Sequence, residues 1–394
     1  MSAGVVLDGE WVVTTAARVA HHFERDLEAL VAVSSPSGDA AAAEELCALV
    51  VALLPEEAEI QRPPCSSPGY APDLLARVTG TGNGRLVLLG HLDTVVAHEG
   101  HRPMERVDGR LVGSGTVDMK GGIALALGVI RALAASPESF AEISLVAVVD
   151  EEWRTGGFDH GPLFDGYDAC LCFEAGQLGP GGEEAVVARR KAAATLRARA
   201  RGVAAHSGSS PDKGRNALLA LGEVARRVAA LSDPVGPERL TATPTVLRSG
   251  DAFNVVPAAG ELVCDLRAGR LAAFDPVLAA VPAEIEGVEI AAELVRRWPA
   301  MDSRELVGPR LAEPAARLLG FPVHVGARGG ASDASHMAGH VALTVDGLGP
   351  RGGHAHHPDE FVAPESIEPR SAIALAFTAA ALAAADRATP VPNP

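Results

Sequence analysis

The sequence predicts an α/β fold, a mixed-sheet α/β/α domain interrupted by an inserted ferredoxin-like α+β unit. Apolar runs typical of buried strands alternate with longer amphipathic or alanine-rich stretches typical of helices. This alternation favours a sheet covered by helices on both faces. From about residue 193 the predicted order becomes strand, helix, strand, strand, helix, strand, which is the signature of a ferredoxin-like unit.

The predicted elements follow from local patterns, taken in chain order. Buried strands of the larger domain are predicted at Arg85–Gly90, Ile143–Val149, Ala169–Phe173 and Val341–Val345. Helices are predicted at 40–54, 122–135, 216–230 and 365–385. In the inserted unit, strands are predicted from about Ala193, around Thr243–Leu247 and at Glu261–Arg267. These positions predict a first domain formed by residues 1–192 and 302–394, with the inserted unit at 193–301.

Composition and charge exclude several classes of protein. The chain of 394 residues is long enough for two or three domains, and it is 47% hydrophobic and 21% charged. Its net charge of −16 argues against affinity for nucleic acid or for an anionic membrane. Five cysteines without CxxC spacing argue against a disulfide framework or a thiolate zinc site. With neither a signal-peptide pattern nor a long uncharged apolar run, we expect a cytoplasmic protein.

Carboxylates and histidines follow the predicted strands at the points where these strands end. The segments are His91-Leu92-Asp93 after RLVLLG, Asp150-Glu151-Glu152 after ISLVAVV, and Glu174 after ACLCF. Asp118 and His356 lie in two glycine-rich loops that precede helices. Each segment alone has an ordinary interpretation as a solvated loop or a helix cap. In open α/β sheets, ligands bind outside the carboxyl ends of the strands. The presence of several such segments at these ends therefore favours a metal site. Imidazoles and carboxylates without thiolates suit zinc, cobalt or manganese.

Nine short motifs in this order resemble the M20 family of di-zinc metallopeptidases and amidohydrolases, and within it the glutamate carboxypeptidase group. The motifs are GHLDT (90–94), GSGTVDMKGG (113–122), VVDEE (148–152), CFEAG (172–176), AAHSG (204–208), GRNAL (214–218), FNVVP (253–257), GGASDA (329–334) and HHPDEFV (356–362). They extend over nearly the whole chain, and their number and order make the resemblance specific.

The resemblance implies a site for two divalent metals, with zinc expected and cobalt or manganese as alternatives. The implied ligands are His91 and Glu174 for one metal, Glu152 and His356 for the other, and Asp118 as the bridge between them. Asp93 would orient the ring of His91, and Glu151 would be the general base that activates a water. In the histidine-rich loop we favour His356 over His354, because His356 stands four residues before Glu360, as in the family.

The resemblance also implies residues that bind the substrate. His206 would stabilise the oxyanion from the lid of a partner subunit in a homodimer, and Asn254 would assist it. A substrate carboxylate needs a cation, for which Arg267 in CDLR and Arg328 before GGASD are the candidates. The alternative for Arg328 is a loop arginine that caps the glycine turn. The segment 153–157, WRTGG, departs from the family pattern after DEE, and we expect it to reshape the pocket.

We therefore expect a homodimeric hydrolase that acts on a small peptide or an N-acyl amino acid. The resemblance implies that glutamate at position 174 accompanies release of a C-terminal amino acid with a free carboxylate, such as glutamate. The alternatives are an N-acyl-amino-acid deacylase or a dipeptidase with a specialised substrate, and a non-catalytic relative that binds metal. An oxidoreductase is disfavoured because GSGTVDMKGG lacks the complete GxGxxG pattern.

Overall fold

The structure, a computed structural model, describes residues 6–154 and 157–387. Within these ranges the helices are α1 (Gly9–Ala32), α2 (Ala40–Leu53), α3 (Gly121–Ala134), α4 (Ala217–Ala230), α5 (Asp275–Ala279), α6 (Arg304–Val307), α7 (Glu313–Leu319), α8 (Ala334–Met337) and α9 (Ile367–Arg387). The strands are β1 (Glu59–Gln61), β2 (Leu74–Thr79), β3 (Arg85–His91), β4 (Glu105–Val107), β5 (Arg110–Val112), β6 (Glu142–Val148), β7 (Ala169–Cys172), β8 (Gln177–Leu178), β9 (Glu184–Arg190), β10 (Ala192–Arg201), β11 (Ala205–His206), β12 (Thr241–Ser249), β13 (Val255–Val256), β14 (Ala259–Ala268), β15 (Glu284–Ile285), β16 (Val288–Trp298), β17 (Met301–Asp302), β18 (His324–Arg328), β19 (Thr344–Val345), β20 (Gly352–Gly353) and β21 (Phe361–Val362).

A six-stranded mixed sheet of order β1-β2-β6-β3-β7-β19 forms the centre of the larger part of the protein. β3 runs parallel to β6 and β7, whereas β2 runs antiparallel to β6. Side chains alternate along β3, so that Leu86 and Leu88 pack in the core with α1, α3 and α9, while Val87 and Leu89 pack in the core on the other face with α8. The predicted mixed α/β fold is therefore confirmed.

A second, antiparallel sheet lies within residues 192–298 and has order β12-β14-β10-β16-β15. Taken in chain order, its four long strands are arranged 2-3-1-4, with α4 between the first and second strands and α5 between the third and fourth. Buried residues of these strands and of α4 form a hydrophobic cluster separate from that of the six-stranded sheet. The site is therefore positioned by two sheets that have their own cores.

Three smaller sheets carry the connecting loops. In the first, β9 lies between β17 and β18 and also pairs with β8. The second has order β20-β21-β5-β4, and its strands β20 and β21 lie before and after the loop that contains His356. In the third, β11 pairs with β13 beside His206. Most of these strands are short, but β9 has seven residues and contributes Val186 and Val187 to the hydrophobic clusters on the two faces of the six-stranded sheet.

The prediction missed one helix and made one strand too long. The helix α1 was not predicted, although its buried residues Val12, Ala16, Val19, Phe23 and Leu27 repeat with helical spacing. The strand predicted at Val341–Val345 was too long, because only β19 at its end pairs with β7. The hydroxyl of Thr344 donates to the carbonyl of Val341 at 2.6 Å, which closes a turn over the first part of that segment.

The segment 364–386, which contains α9, is long and apolar enough to cross a membrane by length and composition alone. In the structure 72% of its most apolar window is buried inside the protein. α9 packs against α1 and α7, and its residues Leu375 and Phe377 have no exposed surface. A helix that is apolar on all sides is typical of a protein core, and this is the position that α9 occupies.

Candidate metal centre

His91 and two carboxylates form the first group of the site. His91 is the last residue of β3, and its Nε2 lies 3.1 Å from Oδ1 of Asp118 and 3.9 Å from Oε1 of Glu174. Glu174 follows β7, which is the parallel neighbour of β3, so the two strand ends bring both side chains together. The three ligand atoms lie within 4.8 Å of one another, which is close enough for one metal ion.

His356 and two carboxylates form the second group. Its Nε2 lies 3.1 Å from Oδ2 of Asp118 and 3.0 Å from Oε1 of Glu152. Asp118 thus directs one carboxylate oxygen to each histidine, as a residue that bridges two metals must. The ring of His354 instead packs against Phe361, with ring centroids 5.5 Å apart. Of the two histidines considered from the sequence, the structure brings His356 to the carboxylates.

Asp93 holds both the histidine and the acidic loop in place. Its carbonyl oxygen lies 3.0 Å and its Oδ1 3.4 Å from Nδ1 of His91, so it contacts the ring nitrogen that faces away from Asp118. The carboxylate of Asp93 also accepts hydrogen bonds of 3.1 Å from the backbone N–H groups of Glu151 and Glu152. The hydroxyl of Ser37 donates to the same carboxylate at 2.6 Å. Asp93 therefore positions more of the site than its predicted contact with His91.

Glu360 holds the backbone that carries Asp118. Its carboxylate accepts hydrogen bonds from the N–H groups of Gly115 at 3.1 Å, Val117 at 2.8 Å and Asp118 at 2.9 Å. This buried carboxylate therefore connects the loop after His356 to the short helical segment Thr116–Lys120. From the sequence, Glu360 served only to choose between His354 and His356, and the structural role of Glu360 was not predicted.

The site holds several buried carboxylates close together, and a cation would stabilise their charged forms. Burial raises the pKa of Glu174 to about 8, and the negative charge of Asp118 adds to this effect. Burial, with the neighbouring Asp333 and Glu174, also raises the pKa of Glu151 well above its usual range. Hydrogen bonds to Asp118 and Glu152 raise the pKa of His356 to about 10. Like-charged carboxylates buried together disfavour one another, and a divalent cation would offset that repulsion.

The donor set fits divalent metals. Imidazole nitrogens and carboxylate oxygens, without a thiolate in either group, are the ligands of zinc and of manganese or cobalt. Each imidazole nitrogen that faces Asp118 now shares a hydrogen bond with a carboxylate, and a metal would take the position of that proton. The residues present therefore fit two metal ions, one in each group.

A cleft of about 250 Å³ adjoins the second group and separates it from the five-stranded sheet. Its lining includes Glu151, Glu152, Arg267, Arg296 and Trp298. Arg267 thus faces the cleft as expected, but its guanidinium is bound to the carboxylate of Asp265 at 3.0–3.2 Å. Arg296 was not considered from the sequence, because no motif surrounds it.

Arg328 is the last residue of β18 and contacts the loop that follows Glu174. Its Nε donates to the side-chain oxygen of Gln177 at 2.8 Å, and its Nη2 donates to the carbonyl of Gly176 at 3.2 Å. Burial and the nearby Arg190 lower its pKa. These contacts join Arg328 to the loop after Glu174, and Arg328 is not among the residues that line the cleft.

His206 and Asn254 lie together beside the two-stranded antiparallel ribbon of β11 and β13, and neither belongs to the metal groups or to the lining of the cleft. Nδ1 of His206 accepts hydrogen bonds of 3.1 Å from the N–H groups of Gly208 and Ser209. The N–H of Ser207 donates to the carbonyl of Asn254 at 3.0 Å. A single chain therefore does not bring these two side chains to the site.

The segment that departs from the family pattern places a buried arginine beneath the site. Arg154 donates from Nε and Nη2 to Oδ1 of Asp150 at 3.0 and 2.6 Å, and it also binds the carboxylate of Asp333. Its side chain has no exposed surface, so it supports the pocket from below and does not line it. Thr155 and Gly156 of this segment lie outside the described residues.

Comparisons with known proteins identify a matching family and several relatives. The profile of peptidase family M20/M25/M40 matches residues 87–380. Carboxypeptidase G2 of Pseudomonas sp. (strain RS-16) is 26% identical over 305 residues, which cover 73% of this chain and 71% of that protein. Acetylornithine deacetylase of Erwinia tasmaniensis is 27% identical over 327 residues, which cover 75% of this chain and 80% of that protein.

A solved structure has the same fold. The metallo-carboxypeptidase of family M20 from Sulfolobus solfataricus superposes with a TM-score of 0.73 at 15% sequence identity. The superposition covers 92% of this chain and 99% of that one.

Proposed function

Because the chain belongs to peptidase family M20/M25/M40, whose members hydrolyse amide bonds, we propose that it releases a C-terminal amino acid with a free carboxylate. The substrate would be a small peptide or an N-acyl amino acid. The observation that carries this proposal is the cleft beside Glu151, which is lined by two guanidinium groups. Guanidinium groups bind carboxylates through two parallel hydrogen bonds, so they suit a substrate that ends in one.

The proposed mechanism assigns a role to each side chain of the site. His91, Asp118, Glu152, Glu174 and His356 hold two divalent metals, with zinc expected. When bound, these metals polarise the scissile carbonyl and make water a stronger nucleophile. Glu151 accepts a proton from the attacking water and then delivers it to the leaving amine. Its pKa is raised by burial and by neighbouring carboxylates, and a carboxyl whose pKa is shifted toward the working pH can perform both transfers.

We propose that the residues at 193–301 form a separate lid and the dimer interface, with 1–192 and 302–394 forming the catalytic domain. β12 is an edge strand of the five-stranded sheet, and Val246 and Leu247 on it are partly exposed. Leu219 on the neighbouring α4 and Phe253, in the loop before β13, are also exposed, at 66% and 101%. An apolar surface beside an unpaired strand edge suits pairing with a second copy.

A dimer of this kind would complete the site. His206 and Asn254 are exposed on the lid and reach neither metal group of their own chain, so we propose that they act on the site of the partner subunit. There His206 would donate a hydrogen bond to the oxyanion that develops on the scissile carbonyl. Closure of the lid would bring Arg267 to the substrate.

A second candidate function is removal of an acyl group from a specialised small molecule. It is favoured by the similarity to an acetylornithine deacetylase over 80% of that protein's length. Both candidates use the same chemistry and differ in the part of the substrate that determines specificity.

One experiment tests the proposal and separates these candidates. Metal content is measured by elemental analysis on chelator-stripped and zinc-restored protein, and release of free amino acid is assayed in the same samples. The substrates are a panel of peptidyl and N-acyl amino acids, each paired with its α-amide. We expect two metals per chain and metal-dependent release that favours the free acids. Equal cleavage of acids and amides would favour the deacylase, and protein without bound metal would contradict both candidates.

A further inference from the structure

Arg296 projects from an irregularity in the lid sheet toward the metal-binding loop. Along β10 and β16, Ala193 pairs with Trp298 and Thr195 pairs with Val295, so Arg296 and Arg297 together oppose a single residue. This is a β-bulge, a feature that redirects side chains beside functional sites. Arg296 also has a φ of 50°, which is uncommon for a residue other than glycine.

The bulge brings Arg296 into the cleft that Glu151 and Glu152 line. Its Nη2 donates a hydrogen bond of 2.8 Å to the carbonyl oxygen of Glu152. The guanidinium group carries five N–H donors, so most of them are left for a ligand. Through this contact the position of Arg296 is fixed relative to the residue that holds one metal.

The two arginines of the cleft differ in how their charge is balanced. Arg267 is bound to Asp265 through three hydrogen bonds of 3.0–3.2 Å, so its charge is already balanced by a carboxylate. Arg296 makes no ion pair within the part of the chain that the structure describes. The carboxylate of Glu152 does not balance it either, because its Oε1 lies against His356 at 3.0 Å.

We propose that Arg296 binds the free carboxylate of the amino-acid half of the substrate and is the residue that makes the enzyme prefer acids over amides. This inference rests on the proposed function and refines it, since the sequence resemblance assigns that role to Arg267. A half-buried cation without a counter-ion gains more from a substrate carboxylate than one already paired. Arg267, paired with Asp265, lies on another strand of the same sheet.

The test uses variants that separate charge from packing. Arg296→Gln removes the charge but keeps an N–H donor for the carbonyl of Glu152, and Arg296→Lys keeps the charge without the planar fork. The control is Arg297→Ala, which changes the exposed neighbour in the same bulge. KM and kcat are measured on zinc-loaded protein for an N-acyl glutamate and for its α-amide.

For Arg296→Gln we expect KM for the free acid to rise about 10- to 100-fold, the range for a lost hydrogen bond to a charged group. KM for the amide should stay within about 2-fold of the wild-type value, because no charge is recognised there. Arg296→Lys should recover part of the loss, and Arg297→Ala should match the wild type. Equal losses on acid and amide, or a selective loss only in Arg267→Ala, would overturn the assignment.

A binding measurement keeps the test independent of turnover. Calorimetric titration of the wild type and of Arg296→Gln with N-acetylglutamate and with its α-amide reports carboxylate recognition even if neither compound is cleaved. Tighter binding of the acid to the wild type, lost in Arg296→Gln, supports the assignment whatever the reaction is. Identical affinities of the two proteins for the acid would refute it, whereas lack of cleavage with intact recognition would contradict only the proposed function.

Discussion

Nε2 of His356 lies 3.0 Å from Oε1 of Glu152, although the two residues are 204 positions apart in the sequence. Glu152 belongs to the loop after β6, and His356 belongs to the loop between β20 and β21. Their meeting at Asp118 completes the second ligand group. The neighbouring His354 makes no such contact with the described carboxylates. The two histidines of this loop therefore differ in whether they can bind a metal.

This difference predicts unequal effects on metal content. In His356→Ala the second group loses its only nitrogen ligand, and we expect one of the two metals to be lost on dialysis, with little activity left. His354→Ala removes a ring that packs against Phe361, and both metals should remain. Elemental analysis of the two purified variants provides the measurement. Loss of a metal from the His354 variant with full occupancy in the His356 variant would reverse the assignment.

A second prediction concerns the general base. Replacing Glu151 with glutamine leaves its shape but removes the group that accepts a proton from water, and a rate loss of about 100- to 10,000-fold is expected. Metal content should stay unchanged, because the metal groups are formed by other residues. The matched control is Glu28→Gln on the exposed face of α1, which should retain full activity. If the Glu151 variant turns over substrate normally, another residue is the base.

The sequence predicts those site residues that can be recognised from a few neighbouring positions. Residues at the ends of β3, β6 and β7 could be predicted, because a buried apolar run followed by a carboxylate or histidine is visible within a few positions. Contacts between distant loops could not be predicted beyond those that the resemblance implies, and the hydrogen bonds from the backbone N–H groups of Val117 and Asp118 to the carboxylate of Glu360 are an example.

Two further features depend on tertiary structure. Arg154 and Asp333 lie 179 positions apart, and nothing in either segment indicates that they form a buried pair. Arg296 is brought to the cleft by a bulge, and one extra residue in a strand leaves no clear pattern in the sequence.

The Arg154 pair gives a prediction about stability. In Arg154→Met the carboxylates of Asp150 and Asp333 remain buried without their cation, and breaking such a pair costs about 3–5 kcal/mol of the free energy of unfolding. Arg226→Met is the control, because the side chain of Arg226 is 85% exposed on α4. Urea unfolding followed by circular dichroism compares both with the wild type. A loss below about 1 kcal/mol in the Arg154 variant would show that water or protonation relieves the buried charges.

The proposed dimer predicts that apolar residues of the lid are required for assembly. The double substitution Leu219→Glu and Val246→Glu places like charges on the surface beside the edge strand β12. We expect sedimentation velocity to show monomers, and activity to fall because His206 can no longer reach a partner's site. Val13→Glu changes a residue of α1 that is 58% exposed and should leave the dimer intact. A double variant that stays dimeric would place the interface elsewhere.

His336 predicts how stability depends on pH. Its ring lies between Phe158 and Trp298, with centroid distances of 5.7 and 4.8 Å, and its Nε2 has no hydrogen-bond partner among the described residues. Burial, opposed by the charges of Asp333 and Asp150 and assisted by that of Arg154, lowers its pKa to about 4. The folded protein therefore keeps this histidine neutral at a pH where an exposed histidine is charged.

The sign of the effect follows from proton counting. Between pH 6.5 and about 4 the unfolded chain binds a proton at His336 that the folded chain does not, so acid favours unfolding. The contribution is absent above pH 6.5 and reaches about 1.4 kcal/mol for each pH unit below it. His336→Leu should therefore show a shallower fall in the free energy of unfolding between pH 6.5 and 4.5 than the wild type. His22→Leu, at an exposed position of α1, should keep the wild-type slope. Parallel curves for the wild type and His336→Leu would mean that the ring is protonated in the folded state, with Asp333 as its counter-ion.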